Sequence, residues 1–260
     1  MAPISFGRSI SFPLSSPARS TARRHVRSIS LPCRSHPLLA HLQSHVAAVR
    51  AWAADPTAAA PSAGLAHIDA LHGALGELVD VMLPPAEAQS ERLLDALVVL
   101  ADAHRGFQEA LLALKADVAD LQAALRRRDA ARLASALRSQ RKNHKEIARL
   151  AAKCARLVII NGGRTTTTAT AEEAVAASAA ASAAVFSAAA SMSAASVSSS
   201  SSSKKTSSAF AAFTKLKDTS DTAEMAPEKL EELAQCIDDC ENATDKVFRS
   251  IVRTRETFGI

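Results

Sequence analysis

Apolar side chains recur every three or four residues through most of this chain, the period that gives a helix one buried stripe. Ser35-His36-Pro37 opens the first such run, with proline in the first helical position, where its missing N–H costs nothing. Leu38, Leu42, His45 or Val46, Val49 and Trp52 then share a face, and Asp55-Pro56 closes it. Leu65, Ile68, Leu71, Leu75, Leu78, Val79 and Met82 predict a second amphipathic helix, stopped by Pro84-Pro85. A long third helix is predicted from near Glu87, with Leu94, Leu97, Ala101 and His104 on one side. Phe107, Leu111, Leu114, Val118, Leu121 and Leu125 continue its stripe. The register then slips by one residue across Arg126–Ala131 and resumes as Leu133, Leu137, Ile147, Leu150, Cys154 and Leu157. Such a slip demands a kink, a stutter or a turn, and a turn between two helices is the reading taken here. Asn161-Gly162-Gly163 ends the fourth helix.

The C-terminal segment has the cleanest period. Leu230, Ile237, Thr244, Ile251 and Phe258 repeat every seven residues, and Leu233, Cys240, Val247 and Thr254 follow three positions later. This heptad seam starts after Pro227, expected as a first helical residue, and is expected to pack on the bundle rather than to form a separate dimeric coiled coil. Between these periodic regions lies a low-complexity stretch from Thr165 to Ser208, rich in Ala, Ser and Thr. Its part Ala171–Ala190 can be helical, whereas the serine run Ser198–Ser203 reads as linker. No charge occurs between Glu173 and Lys204, which fits a membrane span in length. Only Val175, Val185, Phe186, Met192 and Val197 are large apolar groups there, and alanine and serine make a poor span.

Composition narrows the fold class. Hydrophobic residues make up 48% of the 260, yet aromatics are 3%, with no Tyr and one Trp. Alanine and leucine, both strong helix formers, therefore carry the apolar content, and strand-type runs are nearly absent. The prediction is an all-α, antiparallel bundle of five or six helices. Its organisation is a disordered Arg/Ser/Pro-rich arm (1–35), a first part of the bundle (36–163), the Ala/Ser/Thr segment with one helix (164–222) and the heptad helix (223–260). The net charge of +5 is unevenly placed: residues 1–54 hold seven Arg and no acid, leaving 24 basic and 26 acidic groups in the remainder. The excess positive charge is thus a property of the arm. Cys33, Cys154, Cys236 and Cys240 show no CxxC spacing, and the start lacks the apolar core of a secretory signal. Free thiols in a reducing compartment, cytoplasmic or at a membrane surface, are the expectation.

The arm carries a repeated hexamer. Arg8-Ser9-Ile10-Ser11-Phe12-Pro13 and Arg27-Ser28-Ile29-Ser30-Leu31-Pro32 share an arginine three residues before a serine and a proline two residues after it. Arg8 and Arg27 suit a basophilic kinase, phosphorylation gives Ser11 or Ser30 nearly two negative charges, and Pro13 and Pro32 turn the chain away. That pattern points to phosphoserine readers of the 14-3-3 type. The 19 residues between the serines reach up to roughly 60 Å, enough for both to dock on one dimeric reader. Short hexamers also arise by chance in Ser/Arg/Pro-rich tails, and an acid-free, Arg- and Ser-rich arm equally fits a plastid or other organelle presequence.

On the fourth helix, Arg138, Lys142, Lys145, Arg149, Lys153 and Arg156, preceded by Arg128 and Arg132, lie opposite Leu133, Ile147 and Leu157. A stripe of this kind can meet an anionic membrane surface or phosphates. It lacks the interleaved aromatics of nucleic-acid binders, so nucleic acid is disfavoured. The plainer expectation is a solvated face paired with bundle acids, with Asp238, Asp239 and Glu241 as candidates. His41 and His45, like Cys236 and Cys240, stand one helical turn apart, but nothing at informative spacing completes a four-ligand zinc site. No metal, cofactor or catalytic group is expected. No G-x-S-x-G, no phosphate loop and no paired carboxylates with an apolar neighbourhood occur, so an enzyme is the least favoured class.

The stretch from His25 through Val26, Arg27, Ser28, Ile29, Ser30, Leu31, Pro32, Cys33, Arg34, Ser35, His36 and Pro37 to Leu38 resembles the N-terminal signature of the plant BYPASS-related proteins. Leu121–Arg128, Arg141–Ile147 and Val247–Arg255 resemble later pieces of the same family, in the same order and spacing. The resemblance implies a helical, non-enzymatic protein linked to plant root and shoot development, with no catalytic residues to carry over. Acting through protein–protein contacts with a phosphorylatable arm is the expected mode, and binding of anionic lipid through the basic helix face is the alternative. The chain departs from the family at 174–197, where relatives have a Leu/Val-rich helix and alanine and serine stand here.

Overall fold

A computed structural model describes residues 36–56, 59–82, 91–157, 166–198 and 222–259, and among them it shows six helices and no strand. They are α1 (Pro37–Ala54), α2 (Pro61–Met82), α3 (Glu91–Arg127), α4 (Ala130–Ala155), α5 (Thr166–Ser198) and α6 (Thr222–Gly259). Local chemistry sets their ends. His36 caps α1 by accepting the Leu38 N–H on Nδ1 at 3.3 Å, ahead of the expected Pro37. The register slip of the sequence is a turn. Arg128 adopts φ +53°, the Asp129 N–H reaches the Ala124 carbonyl at 3.0 Å and the Arg128 N–H that of Leu125 at 3.2 Å. These are the two bonds of a Schellman ending, with arginine where glycine is usual. Asp129 then caps α4, its Oδ1 accepting from the N–H groups of Ala131 at 3.1 Å and Arg132 at 3.0 Å.

The stripes bury as amphipathic helices must, with corrections of register. In α1 the buried set is Leu39, Leu42, Val46, Val49 and Trp52, so Leu39 replaces Leu38, which is only partly covered. In α3, Leu93, Ala96, Leu100 and Ala103 join Leu97 and His104, while Leu94 and Ala101 flank the core. The helix packs against both α4 and α6, which widens its buried arc beyond the single predicted face. All nine positions of the C-terminal heptad seam are buried, and the seam rests on α2 and α3. α6 begins at Thr222, so Pro227 lies inside it rather than at its first position. Ala223, Glu224, Met225 and Ala226 are good helix formers, and they extend the helix N-terminally for the loss of one backbone bond.

Neighbours close into a ring in the order α1, α2, α6, α3, α4, α5 and back to α1. Asp69 meets Ser250 and His72 meets Thr254, so α2 and α6 lie side by side in the same direction. By contrast α4 runs against both neighbours, with Asn143 on Asp117 of α3, and Gln140 on Ser193 and His144 on Ala190 of α5. Close approaches use small residues. A Cβ on Gly64 of α2 would sit 2.5 Å from the Trp52 ring of α1, so glycine is what lets that indole lie flat on the next helix.

The Ala/Ser helix α5 touches all five others. It is buried over much of its surface, with Thr166, Ala180, Ser187, Ser191, Ala194 and Ala195 exposed. Small side chains suit this position, because alanine on every face lets five neighbours approach together. Val175, Val185 and Phe186 supply bulk, and Phe186 stacks on Phe107 with ring centroids 4.2 Å apart. Over Thr166–Ala195 the helix is long and apolar enough to cross a membrane; here it lines the bundle interior.

Candidate interaction face

Three features carry chemistry: a buried histidine–serine ladder, an exposed basic face, and a groove beside that face. The ladder fixes the register of α5. His72 of α2 places Nε2 2.8 Å from Ser178 Oγ, and His104 of α3 places Nε2 2.9 Å from Ser182 Oγ. Ser182 donates its own proton to the Ser178 carbonyl at 2.8 Å, so its oxygen accepts and His104 Nε2 donates. Both imidazoles are fully buried, and Nδ1 of each has no hydrogen-bond partner among the described residues. Burial drives the His72 pKa down to about 4. Burial, and then the like charge of His72, drives His104 down to about 3. At neutral pH both are therefore uncharged and act as polar pegs. Sequence periodicity placed His104 on the buried side of its helix but had no signal for its serine partner, 78 residues away.

The basic face lies on α4 and its C-cap. Arg138, Lys142, Lys145, Arg149, Lys153 and Arg156 are all exposed and fall within an arc of about 80° along about 27 Å of helix. Arg149 pairs with Glu146, through Nη2–Oε1 at 2.6 Å and Nε–Oε2 at 3.0 Å. Among the described residues the other five make no ion pair. The acids expected to neutralise them are engaged elsewhere. Lys115 of α3 takes Asp238 at 2.8 Å and Glu241 at 3.0 Å, and Asp239 accepts from Gln235 at 3.0 Å. The reason is position: α6 lies beside α3 and α2, not beside the outer face of α4. The expected pairing of the stripe with Asp238, Asp239 and Glu241 is corrected accordingly.

Between α4 and α5, directly beside the basic face, runs an open groove of about 520 Å³. Ala148, Ala152 and Ala155 form one wall and Ala183, Ala184 and Ser187 the other, with His144 at one end. His144 Nδ1 sits 3.0 Å from the Ala190 carbonyl, which ties α4 to α5 at that end of the groove. The walls are small and apolar, the rim cationic.

Of the remaining candidates, Arg8, Ser11, Pro13, Arg27, Ser30 and Pro32 lie outside the described residues. His41 and His45 bring their Nε2 atoms 3.2 Å apart at the surface of α1. His45 titrates below its ordinary value, through partial burial first and then the like charge of His41. Among the described residues no three His, Cys, Asp or Glu side chains converge as a metal set.

Residues 64–258 match the family model described as Protein BPS1, which spans most of α2 through α6. The chain belongs to the BPS1 family, the BYPASS-related proteins. No curated protein and no solved structure matches it. BPS1 membership fits a plant developmental regulator. The match includes the ladder, the basic face and the whole of the Ala/Ser helix α5.

Proposed function

We propose that this BPS1-family chain is a non-enzymatic regulator of plant root and shoot development that works by docking protein partners. The α4 face would receive an acidic amphipathic helix, and the N-terminal arm, phosphorylated at Ser11 and Ser30, would recruit 14-3-3-type readers. The observation that carries the first part is the row of five exposed cations that make no ion pair among the described residues, flanking an alanine-walled groove. Cations at a rim steer an acidic partner and fix its register, and small wall residues let a second helix backbone come close. The arm rests on the repeated R-S-I-S-x-P hexamer and contributes without a folded surface of its own.

A direct test combines cross-linking and charge reversal in plant cells. Proteins captured by the wild-type chain should cross-link through Lys142, Lys145 and Lys153 to acidic peptides. The Lys142→Glu/Lys145→Glu/Lys153→Glu variant should lose those proteins, while Ser11→Ala/Ser30→Ala should lose 14-3-3 proteins alone. Retention of every partner by the charge-reversed variant would refute docking at this face. Flotation with phosphatidylserine vesicles in the same series separates the lipid alternative, which demands salt-sensitive binding that charge reversal abolishes.

A further inference from the structure

On α6 two cysteines stand one turn apart, the first of them against a methionine of α5 at the edge of the core. Cys236 Sγ lies 3.5 Å from Met192 Sδ. Cys240 follows one helical turn later, on the same side of α6. Cys240 is fully buried in the heptad seam, whereas Cys236 and Met192 are half-buried, so the cluster has a closed floor and an open side. We propose that Cys236, Cys240 and Met192 bind one soft monovalent ion, Cu(I), as a three-coordinate sulfur site.

Donor chemistry selects the ion. Two thiols and a thioether make an all-sulfur set, and soft ligands of this kind select Cu(I) over harder divalent metals. Zinc wants four N, S or carboxylate ligands, and among the described residues no third His, Cys, Asp or Glu joins the pair. Geometry agrees. With metal–sulfur bonds of about 2.3 Å, two sulfurs 3.5 Å apart subtend an angle of about 100° at a shared ion. The pair at i and i+4 needs no unwinding to present both sulfurs to one side. Proton bookkeeping also closes: Cu(I) replaces the protons of Cys236 and Cys240, two protons leave to solvent, and the copper stays in one oxidation state throughout. Sequence spacing alone shows the two cysteines; the third ligand, 44 residues from Cys236, is supplied by the fold.

The test titrates the full chain, reduced and under argon, with Cu(I) supplied as its acetonitrile complex against a chromogenic chelator, with Cys33→Ser removing the arm thiol. The expected result is one Cu(I) per chain with sulfur-only X-ray absorption, and affinity falling on the order of tenfold or more in Cys236→Ser and in Met192→Leu. Met192→Leu keeps the side-chain volume, and far-UV circular dichroism shows that each variant is folded. Affinity unchanged in Cys236→Ser would overturn the site, as would nitrogen or oxygen in the copper shell. Met192→Leu binding like wild type would overturn the three-sulfur assignment. Zn(II) displacing Cu(I) at equal concentration would overturn the choice of ion.

Discussion

Replacing His72 and His104 together with glutamine should make the stability of the bundle much less sensitive to mild acid. Glutamine keeps an N–H near the position of Nε2, so the bonds to Ser178 and Ser182 survive while the titrating rings are lost. In the folded chain burial holds His72 near a pKa of about 4, and burial with the charge of His72 holds His104 near about 3. In the unfolded chain both return to the ordinary histidine value of 6.5. The unfolded state therefore binds more protons below 6.5, and stability rises with pH there. Above 6.5 the contribution is fully present; it drains away as pH falls toward the folded values. Between about pH 7.5 and pH 5 each ring should cost about 2 kcal/mol of stability, and the pair about 4 kcal/mol. Against a typical domain stability of about 5–15 kcal/mol that is a large fraction. Urea unfolding followed by circular dichroism across this range measures it, with an uptake of nearly two protons per unfolding event at the acid end. Equal loss of stability in wild type and the double glutamine variant would refute the assignment, because the acid sensitivity would then belong to other groups.

Further expectations concern packing and the turn. Gly64→Ala drives a methyl into the Trp52 ring and should lower stability by about 1–3 kcal/mol, read from the urea midpoint. Phe186→Ala removes a fully buried ring that stacks on Phe107 and should cost about 3–5 kcal/mol. Arg128→Gly relieves the left-handed φ of +53° in the α3–α4 turn and should stabilise the bundle by about 0.5–1 kcal/mol, measured as a rise in Tm. Lys115→Ala should leave stability close to wild type, since its ion pairs with Asp238 and Glu241 are solvent-exposed.

Much of the architecture is legible along the chain because amphipathic helices advertise their buried side. The heptad seam of α6, the stripes of α2 and α3 and the turn after Arg127 follow from the spacing of large apolar groups. Where spacing carries less information, the reading drifts by a residue, as at Leu38 and Leu39, since both can lean on a neighbour and only packing chooses. The limiting case is α5. Alanine and serine on every face give no periodic signal, so neither its burial nor its register can be read from the pattern. Tertiary structure decides both: five helices need a thin element among them, and two buried histidines each need a serine opposite.

The chemistry divides the same way. The sequence by itself determines that α4 presents a row of cations, because helical spacing sets a face whatever surrounds it. It does not determine whether that face is neutralised, since acids far along the chain could lie beside it. The fold places Asp238 and Glu241 on Lys115 and leaves most of the row facing solvent. Likewise the spacing of Cys236 and Cys240 is local, whereas Met192 reaches Cys236 only because α5 and α6 run together at that level. Short-range pattern fixes which residues share a face; which faces meet is a long-range matter, settled when all the stripes must be buried at once.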